Sequence, residues 1–212
     1  LACAGIFAAP MSQSFIPANH PLIRYTGRVD FSYHDRARFD WPGTTIRMAF
    51  SGTSCRLRMR GHDGSFDAII DDSVRIVFSL DSSCTLYTIA EHLADTVHSL
   101  LLFKRYESAE PAAFFGVYLN KGESLAPLPP RLCRRIEFIG GSLLTGFGSE
   151  SNTLVCESEK DSSNARFSFG PVAARILQAE CTIVAVTGKG LVREWAAPHL
   201  AVREPYHTYY ER

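Results

Sequence analysis

The stretch Arg134-Arg-Ile-Glu-Phe-Ile-Gly-Gly-Ser-Leu-Leu-Thr-Gly-Phe-Gly148 joins a short apolar strand to a turn that is rich in glycine. Residues 136–139 are predicted to form a buried strand of a parallel sheet, because such strands read as short, continuous apolar runs. Open α/β folds bind ligands outside the carboxyl ends of their strands, and glycine permits a tight turn and a close backbone approach. Ser142 follows the turn and is therefore the candidate nucleophile.

Downstream residues predict a helix and then a second strand. Ser168 is a suitable N-cap and Pro171 suits the first helical turn. The β-branched run 181–186 predicts a strand that ends in Thr187-Gly-Lys-Gly190, while the polar residues 149–163 predict a loop. A strand, a helix and a strand of these lengths form one βαβ unit. The apolar residues that recur at helical spacing are Phe169, Val172, Ala173 and Ile176.

The first half of the chain shows a period of two, which is typical of strands with one buried face. Further strands are predicted at about residues 97–104 and 114–119. Many short strands separated by turn residues predict an antiparallel sandwich. The alternating apolar residues are Ile46, Met48 and Phe50, then Cys55, Leu57 and Met59, then Val74, Ile76, Phe78 and Leu80.

These patterns divide the chain into a β-sandwich over residues 20–126, a proline-rich linker over 127–133 and an incomplete α/β unit over 134–212. Residues 1–19 form either an ordinary N-terminal arm or the remnant of a signal peptide. The small apolar residues at the start resemble the end of such a peptide, but a positively charged n-region is missing.

Composition narrows the classes of function. The 212 residues carry 22 basic and 22 acidic side chains, for a net charge of zero, which argues against nucleic-acid binding. No run of 18 apolar residues predicts a membrane span. The six cysteines include no Cys-x-x-Cys pair, so zinc binding is poorly supported. Disulfides would suit a secreted protein, but buried free thiols are the preferred interpretation.

Several stretches carry a resemblance to a known family. In the sandwich they are Ile23-Arg-Tyr-Thr-Gly-Arg28, Phe39-Asp-Trp-Pro-Gly43 and Leu102-Phe-Lys-Arg105. Later they are residues 134–140 with Ser142, and Thr187-Gly-Lys-Gly-Leu-Val-Arg193. Their order resembles that of the carbohydrate esterase family 2 acetyl esterases, whose catalytic domain belongs to the SGNH (GDSL-like) hydrolases.

The resemblance implies a fold and an activity. The fold is a two-domain one, a jelly-roll-like antiparallel sandwich followed by a truncated, parallel α/β hydrolase domain. The activity is deacetylation of xylan or a related polysaccharide, by a secreted or extracellular protein that needs no cofactor and no metal. The nucleophile of the family falls on Ser142. The backbone N–H groups of Ser142 and Gly188 would form the oxyanion hole.

The chain departs from the family pattern in two ways. Gly141 stands where the family has aspartate, and the blocks that carry the oxyanion asparagine and the catalytic histidine would lie beyond Arg212. His199 and His207 are interpreted as ordinary surface histidines. The less favoured interpretation is that one of them replaces the missing catalytic base. Without a general base a serine loses about 10²–10⁴-fold in rate. We therefore expect weak or no hydrolysis from this chain, as a fragment or as a degenerate homologue.

Two other functions stay open. In the first, the chain is a non-catalytic carbohydrate-binding protein in which aromatic rings stack on sugars, although core positions are favoured for those rings. In the second, the exposed edge of the short sheet binds another protein. The arginines at positions 56, 58 and 60 are interpreted as the solvated face of a strand. The alternative is that they form a binding stripe for an acidic polymer. The candidate stacking residues are Tyr25, Phe39, Trp41 and Trp195.

Overall fold

Eleven strands precede the proline-rich segment in the computed structural model, which describes residues 13–83, 85–153 and 159–190. The strands are β1 (Gln13–Pro17), β2 (Arg24–Thr26), β3 (Ala37–Phe39), β4 (Thr45–Gly52), β5 (Cys55–Arg60), β6 (Ser65–Ile70), β7 (Val74–Ser79), β8 (Leu86–Ala90), β9 (Thr96–Lys104), β10 (Ala112–Asn120) and β11 (Leu125–Ala126). The strands predicted from the period of two are therefore present.

Two antiparallel sheets contain these strands. One sheet has the order β1-β10-β5-β8, with β3 also paired to β10. The other has the order β11-β4-β9-β6-β7, with β2 also paired to β4. The prediction of an antiparallel β architecture is confirmed for this part of the chain.

A single hydrophobic core draws side chains from both sheets. On β5 the odd-numbered residues are buried while the arginines at 56, 58 and 60 point outward. Burial of a large apolar side chain contributes about 1.5–3 kcal/mol, so this core is the main source of stability for the first half. Its largest fully buried apolar side chains are Phe50, Phe66 and Phe114, with Ile46, Met48, Leu57, Met59, Leu100, Leu102 and Leu119.

The second half contains a parallel strand pair and short helices. Its elements are β12 (Arg134–Gly140), α1 (Ser142–Thr145), α2 (Glu159–Ser162), a 3₁₀ turn (Ala165–Phe167), α3 (Phe169–Ile176) and β13 (Ala179–Ala185). β12 and β13 are parallel and pair from Arg134 with Ala179 to Gly140 with Ala185. The predicted βαβ unit is thus observed, whereas α2 lies in a segment predicted as loop.

The prediction that β12 is buried is wrong. Phe138 faces α3 and packs edge-on against Phe169, with ring centroids 6.0 Å apart. The alternate residues face away, and Ile139 is 49% exposed. Within the described residues the parallel sheet has two strands, and its helices cover one face, so half of the β12 side chains remain at the surface.

Helix α3 begins after Ser168 as predicted, but the residues that it buries are mostly small ones. Gly170 packs inward, and a Cβ added there would lie 2.7 Å from Leu144 Cδ1. Pro171 and Ala174 are also buried, whereas Ile176 is exposed. Ser168 Oγ donates to the Ala165 carbonyl instead of capping α3.

The two halves share a second, smaller hydrophobic cluster. Phe103 at the end of β9 packs with Leu144, Ala165, Ile183 and Ala185. Gly43 has φ +73°, and a Cβ added there would lie 2.5 Å from Ile183 Cδ1. The sandwich therefore contacts β13 directly.

A network of ion pairs lies beside this cluster. Asp67 is fully buried on β6, and its Oδ1 lies 2.9 Å from Arg75 Nη2 and 3.7 Å from Arg105 Nε. Glu150 pairs with both arginines. Asn164 Nδ2 donates to Asp67 Oδ2 at 2.9 Å and to Glu150 Oε2 at 3.2 Å. The network fixes the segments that flank α2 against the sandwich.

Several predictions concern single side chains. Cys55 is a buried free thiol, Cys181 is a partly buried one, and Cys133 is exposed, so the interpretation as buried thiols is wrong for Cys133.

Two of the candidate stacking residues lie in or beside the core. Phe39 is a core residue, and the hydroxyl of the half-buried Tyr25 donates to the Ala18 carbonyl. Cys3, Cys84 and Cys156, like residues 1–12, lie outside the described residues. Among the described helices, none has the length and apolarity to span a membrane.

Candidate active site

The carboxyl ends of β12 and β13 form the edge at which the predicted site residues lie. Gly140 pairs with Ala185 in the parallel register. Ser142 comes two residues after Gly140, and Gly188 three residues after Ala185. Because the strands are parallel, both turns leave the sheet at the same edge.

Ser142 is the first residue of α1 and is partly exposed. The Leu144 and Thr145 N–H groups donate to the Gly141 carbonyl at 2.9 and 3.2 Å, which fixes the turn behind the serine. The helix ends at Gly146, whose φ is +72°. A Cβ at Gly146 would lie 2.2 Å from the Asn164 carbonyl oxygen, so this position requires glycine.

Gly188 lies in a tight turn closed by the Lys189 N–H, which donates to the Val186 carbonyl at 3.2 Å. Its φ is +79°, in the region that glycine alone enters readily. Among the described residues, an added Cβ would meet nothing within 4 Å. The backbone conformation therefore favours glycine here.

A chain of hydroxyl groups joins the two turns. Thr145 Oγ1 lies 3.0 Å from the Ser142 carbonyl oxygen and 3.1 Å from Thr187 Oγ1, which lies 2.8 Å from the Tyr106 hydroxyl. Thr145 Oγ1 donates to the Ser142 carbonyl, and the contacts of the Thr187 hydroxyl with Thr145 and Tyr106 connect the two turns to the first half.

Glu107 connects the sandwich to the turn at Gly188. The Thr187 N–H donates to both carboxylate oxygens of Glu107, with N–O distances of 3.0 and 2.9 Å. Burial raises the pKa of Glu107, and the hydrogen bonds from Thr187 and Tyr106 oppose this change, as does the charge of Lys104. A carboxylate is thus held at the backbone of the residue that precedes Gly188.

Gly141 lies against the second turn. A Cβ added to Gly141 would lie 3.0 Å from the Lys189 carbonyl oxygen, which is closer than ordinary van der Waals contact. A side chain at this position would therefore require a small shift of that turn.

Two backbone donors at this edge have no hydrogen-bond acceptor within the described part of the chain. Among the residues that the structure describes, none accepts a hydrogen bond from the N–H of Ser142 or of Gly188. No described histidine bonds to the Ser142 hydroxyl either, and His98 is paired with Asp71 at 2.7 Å instead. His199 and His207 lie outside the described residues, as does Trp195.

The sequence interpretation singled out Ser142 and Gly188, whose roles stay predictions, and did not single out the neighbouring Thr145, Tyr106 and Glu107. No motif or periodicity marks these three residues, because their contacts depend on how the sandwich packs against β13. A weak signal is the position of Tyr106 and Glu107 directly after a long buried strand, where side chains often reach a neighbouring unit.

A separate cleft of about 360 Å³ lies between β2, β4, the segment 128–132 and the start of β13. Its lining includes Ala179 and Cys181, at the opposite end of β13 from Gly188, and neither Ser142 nor Gly188 contributes to it. Burial raises the pKa of the Cys181 thiol to about 11, so this thiol is protonated at neutral pH.

The chain is similar to a family described as carbohydrate esterase 2 N-terminal, which it matches over residues 25–129. It is 31% identical over 193 residues to the cellulase/esterase CelE of Acetivibrio thermocellus, covering 89% of this chain and 24% of that protein. It is also 31% identical over 182 residues to an acetylxylan esterase / glucomannan deacetylase of Cellvibrio japonicus, covering 84% of this chain and 46% of that protein.

Solved structures of carbohydrate esterases are also similar to the chain. A family two carbohydrate esterase from Clostridium thermocellum in complex with cellohexaose is 29% identical, with a TM-score of 0.79, covering 89% of this chain and 59% of that one. Another, with a TM-score of 0.68 and 27% identity over 83% of this chain and 53% of that one, concerns an esterase active site with divergent catalytic and non-catalytic binding functions. The chain spans 24% to 54% of the length of the curated relatives that it matches.

Proposed function

Because the chain belongs to carbohydrate esterase family 2, we propose that it is a carbohydrate acetyl esterase with Ser142 as its nucleophile. Its substrate would be an acetylated polysaccharide such as xylan. The observation that carries this proposal is that the turns with Ser142 and Gly188 follow the carboxyl ends of two paired parallel strands, β12 and β13. The contact between Thr145 and Thr187 joins these turns.

The proposed reaction is acyl transfer in two steps. The Ser142 hydroxyl oxygen attacks the carbonyl carbon of the acetyl ester, and the sugar hydroxyl leaves, which gives an acetyl-serine. Water then attacks the acetyl-serine and releases acetate. In each step the carbonyl oxygen becomes negative, and the N–H groups of Ser142 and Gly188 would donate to it.

The N–H groups of Ser142 and Gly188 have no acceptor in residues 13–83, 85–153 and 159–190, which supports this proposal, since an oxyanion hole needs N–H groups that the protein itself does not use. The contact between Thr145 and Thr187 joins the two turns, and Glu107 holds the second turn against the sandwich before substrate binds. Preorganised donors cost no rearrangement during the reaction. The described residues supply no base at the Ser142 hydroxyl, which supports a low rate for the chain.

We further propose that the two antiparallel sheets form a jelly-roll-like sandwich over residues 20–126. The linker would cover residues 127–133, and residues 134–212 would form the first part of an SGNH-type hydrolase domain. An enzyme for plant-type polysaccharides meets its substrate outside the cell, so we propose that this protein is secreted.

Acetate release tests the esterase proposal. The wild-type chain and Ser142→Ala would be compared on acetylated xylan and on 4-nitrophenyl acetate. We expect the wild type to exceed Ser142→Ala on both substrates, with Ser142→Ala at the uncatalysed rate. Equal rates for the two proteins would contradict the proposal for this chain.

A substitution at the second turn tests the oxyanion hole. Gly188→Ala forces a Cβ into the left-handed region, which costs about 1–2 kcal/mol, and we expect kcat to fall about tenfold as the turn moves. Gly140→Ala is the matched control, because its added Cβ would make ordinary contact with Leu144 at 3.4 Å. If kcat fell by the same factor in Gly140→Ala, the result would contradict a specific role for Gly188.

The absence of a base among the described residues favours a second candidate, a non-catalytic carbohydrate-binding protein. One similar structure holds cellohexaose, and that oligosaccharide is a suitable probe. Calorimetric titration would then detect binding that is equal in the wild type and Ser142→Ala, with no acetate release from either. Activity above that of Ser142→Ala would favour the esterase instead.

A further inference from the structure

The outer face of the sheet β1-β10-β5-β8 carries arginines and aromatic rings side by side. The arginines at 56, 58 and 60 point outward from β5, at intervals of about 7 Å along the strand. Tyr118 of β10 pairs with Arg56, and Phe15 of β1 pairs with Tyr118. We define the arginine–aromatic face by Phe15, Tyr33, Arg36, Arg38, Arg58 and Phe115.

The guanidinium groups on this face stack on the rings. Arg36 Cζ lies 4.3 Å from the centroid of Tyr33 and 5.8 Å from that of Phe115. Arg58 Cζ lies 5.1 Å from the centroid of Phe115 and 5.9 Å from that of Phe15. Arg38 Cζ lies 5.1 Å from the centroid of Tyr33, and its Nη1 donates to the Tyr33 hydroxyl at 3.1 Å. Stacking restricts the rotamers of the arginines while leaving the N–H edges of the guanidinium groups available.

The arginines on and beside this face outnumber their carboxylate partners, although the net charge of the whole chain is zero. Glu91 pairs with Arg56 at 2.9 Å and Asp35 with Arg36 at 3.5 Å. Asp30 acts on Arg38 electrostatically. Within the described part of the chain, no carboxylate lies within 4 Å of the guanidinium groups of Arg58 or Arg60.

We propose that the arginine–aromatic face binds a polysaccharide that carries carboxylate groups, such as one built from uronic acids. The planar guanidinium fork matches a carboxylate and donates two parallel hydrogen bonds to it. This site is separate from Ser142 and would bind whether or not the chain hydrolyses esters.

A neutral sugar suits this face less well. Neutral polysaccharides bind proteins mainly by stacking a sugar ring on an open aromatic face. Here guanidinium groups already lie over the rings of Tyr33 and Phe115. The charge of the ligand, rather than the face of its ring, would therefore supply the attraction.

Calorimetric titration of the full chain with sodium oligogalacturonate tests the proposal, with neutral xylohexaose as the comparison. We expect binding of the oligogalacturonate that weakens as salt is added, because charge–charge attraction is screened, and no measurable binding of xylohexaose at this face. The double variant with Arg36→Gln and Arg58→Gln should bind the oligogalacturonate at least tenfold more weakly. The Ser142→Ala variant should bind it as the wild type does.

Arg135→Gln is the matched control, because Arg135 is exposed on β12 and lies outside the face. It should bind oligogalacturonate as the wild type does. The proposal is overturned if the wild type does not bind, or if Arg135→Gln loses as much affinity as the double variant. It is also overturned if inorganic polyphosphate or single-stranded DNA of equal charge competes equally well, since attraction by charge alone would then suffice. Unchanged thermal unfolding of both variants verifies that they remain folded.

Discussion

Glu107 makes the stability of the molecule depend on pH. Burial raises its pKa above the ordinary value of 4.5, so between 4.5 and the raised value the folded chain binds more protons at this site than the unfolded chain does. Stability falls with pH wherever the native state binds more protons. The contribution of Glu107 is thus complete below pH 4.5 and is lost as the pH rises through the pKa of the folded state.

We predict that Glu107→Gln removes this part of the pH dependence, since glutamine does not titrate. The free energy of unfolding of the wild type, measured by urea denaturation from pH 4 to 8, should fall relative to that of Glu107→Gln as the pH rises. Glu110→Gln is the control, because Glu110 is exposed and its side chain lies 3.8 Å from His62 rather than in a buried site. Parallel curves for the wild type and Glu107→Gln would contradict the prediction.

The residues of the candidate site differ in how far the sequence could predict them. Ser142 and Gly188 follow apolar runs that end in glycine, and parallel strands bring such turns to one edge. Their catalytic roles stay predictions. Thr145 and Glu107 could not be found, because a polar side chain near a strand end has no sequence signal for the partner that it meets after folding. The cysteine interpretation failed at Cys133, which lies in the exposed proline-rich segment.

At the scale of elements, buried charges join the sandwich to the segments around α2. Asp67 on β6 is fully buried, and Arg105 directly after β9 is nearly so. Removing one partner of a buried ion pair leaves the other charge uncompensated, which costs about 3–5 kcal/mol. The junction therefore depends on Asp67 more strongly than its position on a sandwich strand would suggest.

We predict that Asp67→Asn lowers the free energy of unfolding by about 3 kcal/mol, because Arg75 and Arg105 then share a single carboxylate. Urea denaturation at neutral pH measures the loss. The control is Glu91→Gln, which breaks the exposed pair with Arg56 and should change stability by at most about 1 kcal/mol. Similar losses in both variants would show that burial does not set the strength of the Asp67 contacts.

Periodicity predicted which elements exist but not which faces they bury. The period of two identified the sandwich strands because each of them has one face on a single core. β12 was predicted to be buried from its apolar residues, yet burial of a parallel strand requires layers on both sides. For α3 the apolar spacing predicted the helix, while the residues that it buries include the small Gly170 and Ala174. Close packing of helix on sheet selects small residues, which a hydrophobic pattern does not reveal.

At the scale of the whole molecule, the two hydrophobic clusters differ in independence. The large core lies entirely within residues 18–125 and uses both antiparallel sheets. The smaller cluster includes Phe103, which belongs to β9 of the sandwich. Among the described residues, the cluster beneath the parallel strand pair thus depends on a side chain of the first half, whereas the large core contains no residue of the second half.

We therefore predict that residues 13–126 fold alone and that residues 127–212 do not. The first fragment should show a dispersed amide spectrum and cooperative unfolding in urea, because its core is complete. The second should lack cooperative unfolding, since units of this size are marginal even with a complete core. In the first fragment Asp67→Asn should cost less than about 1 kcal/mol, because the carboxylate would then be hydrated. A loss near 3 kcal/mol in that fragment would mean that Asp67 stabilises the sandwich itself rather than its junction with the segments that flank α2.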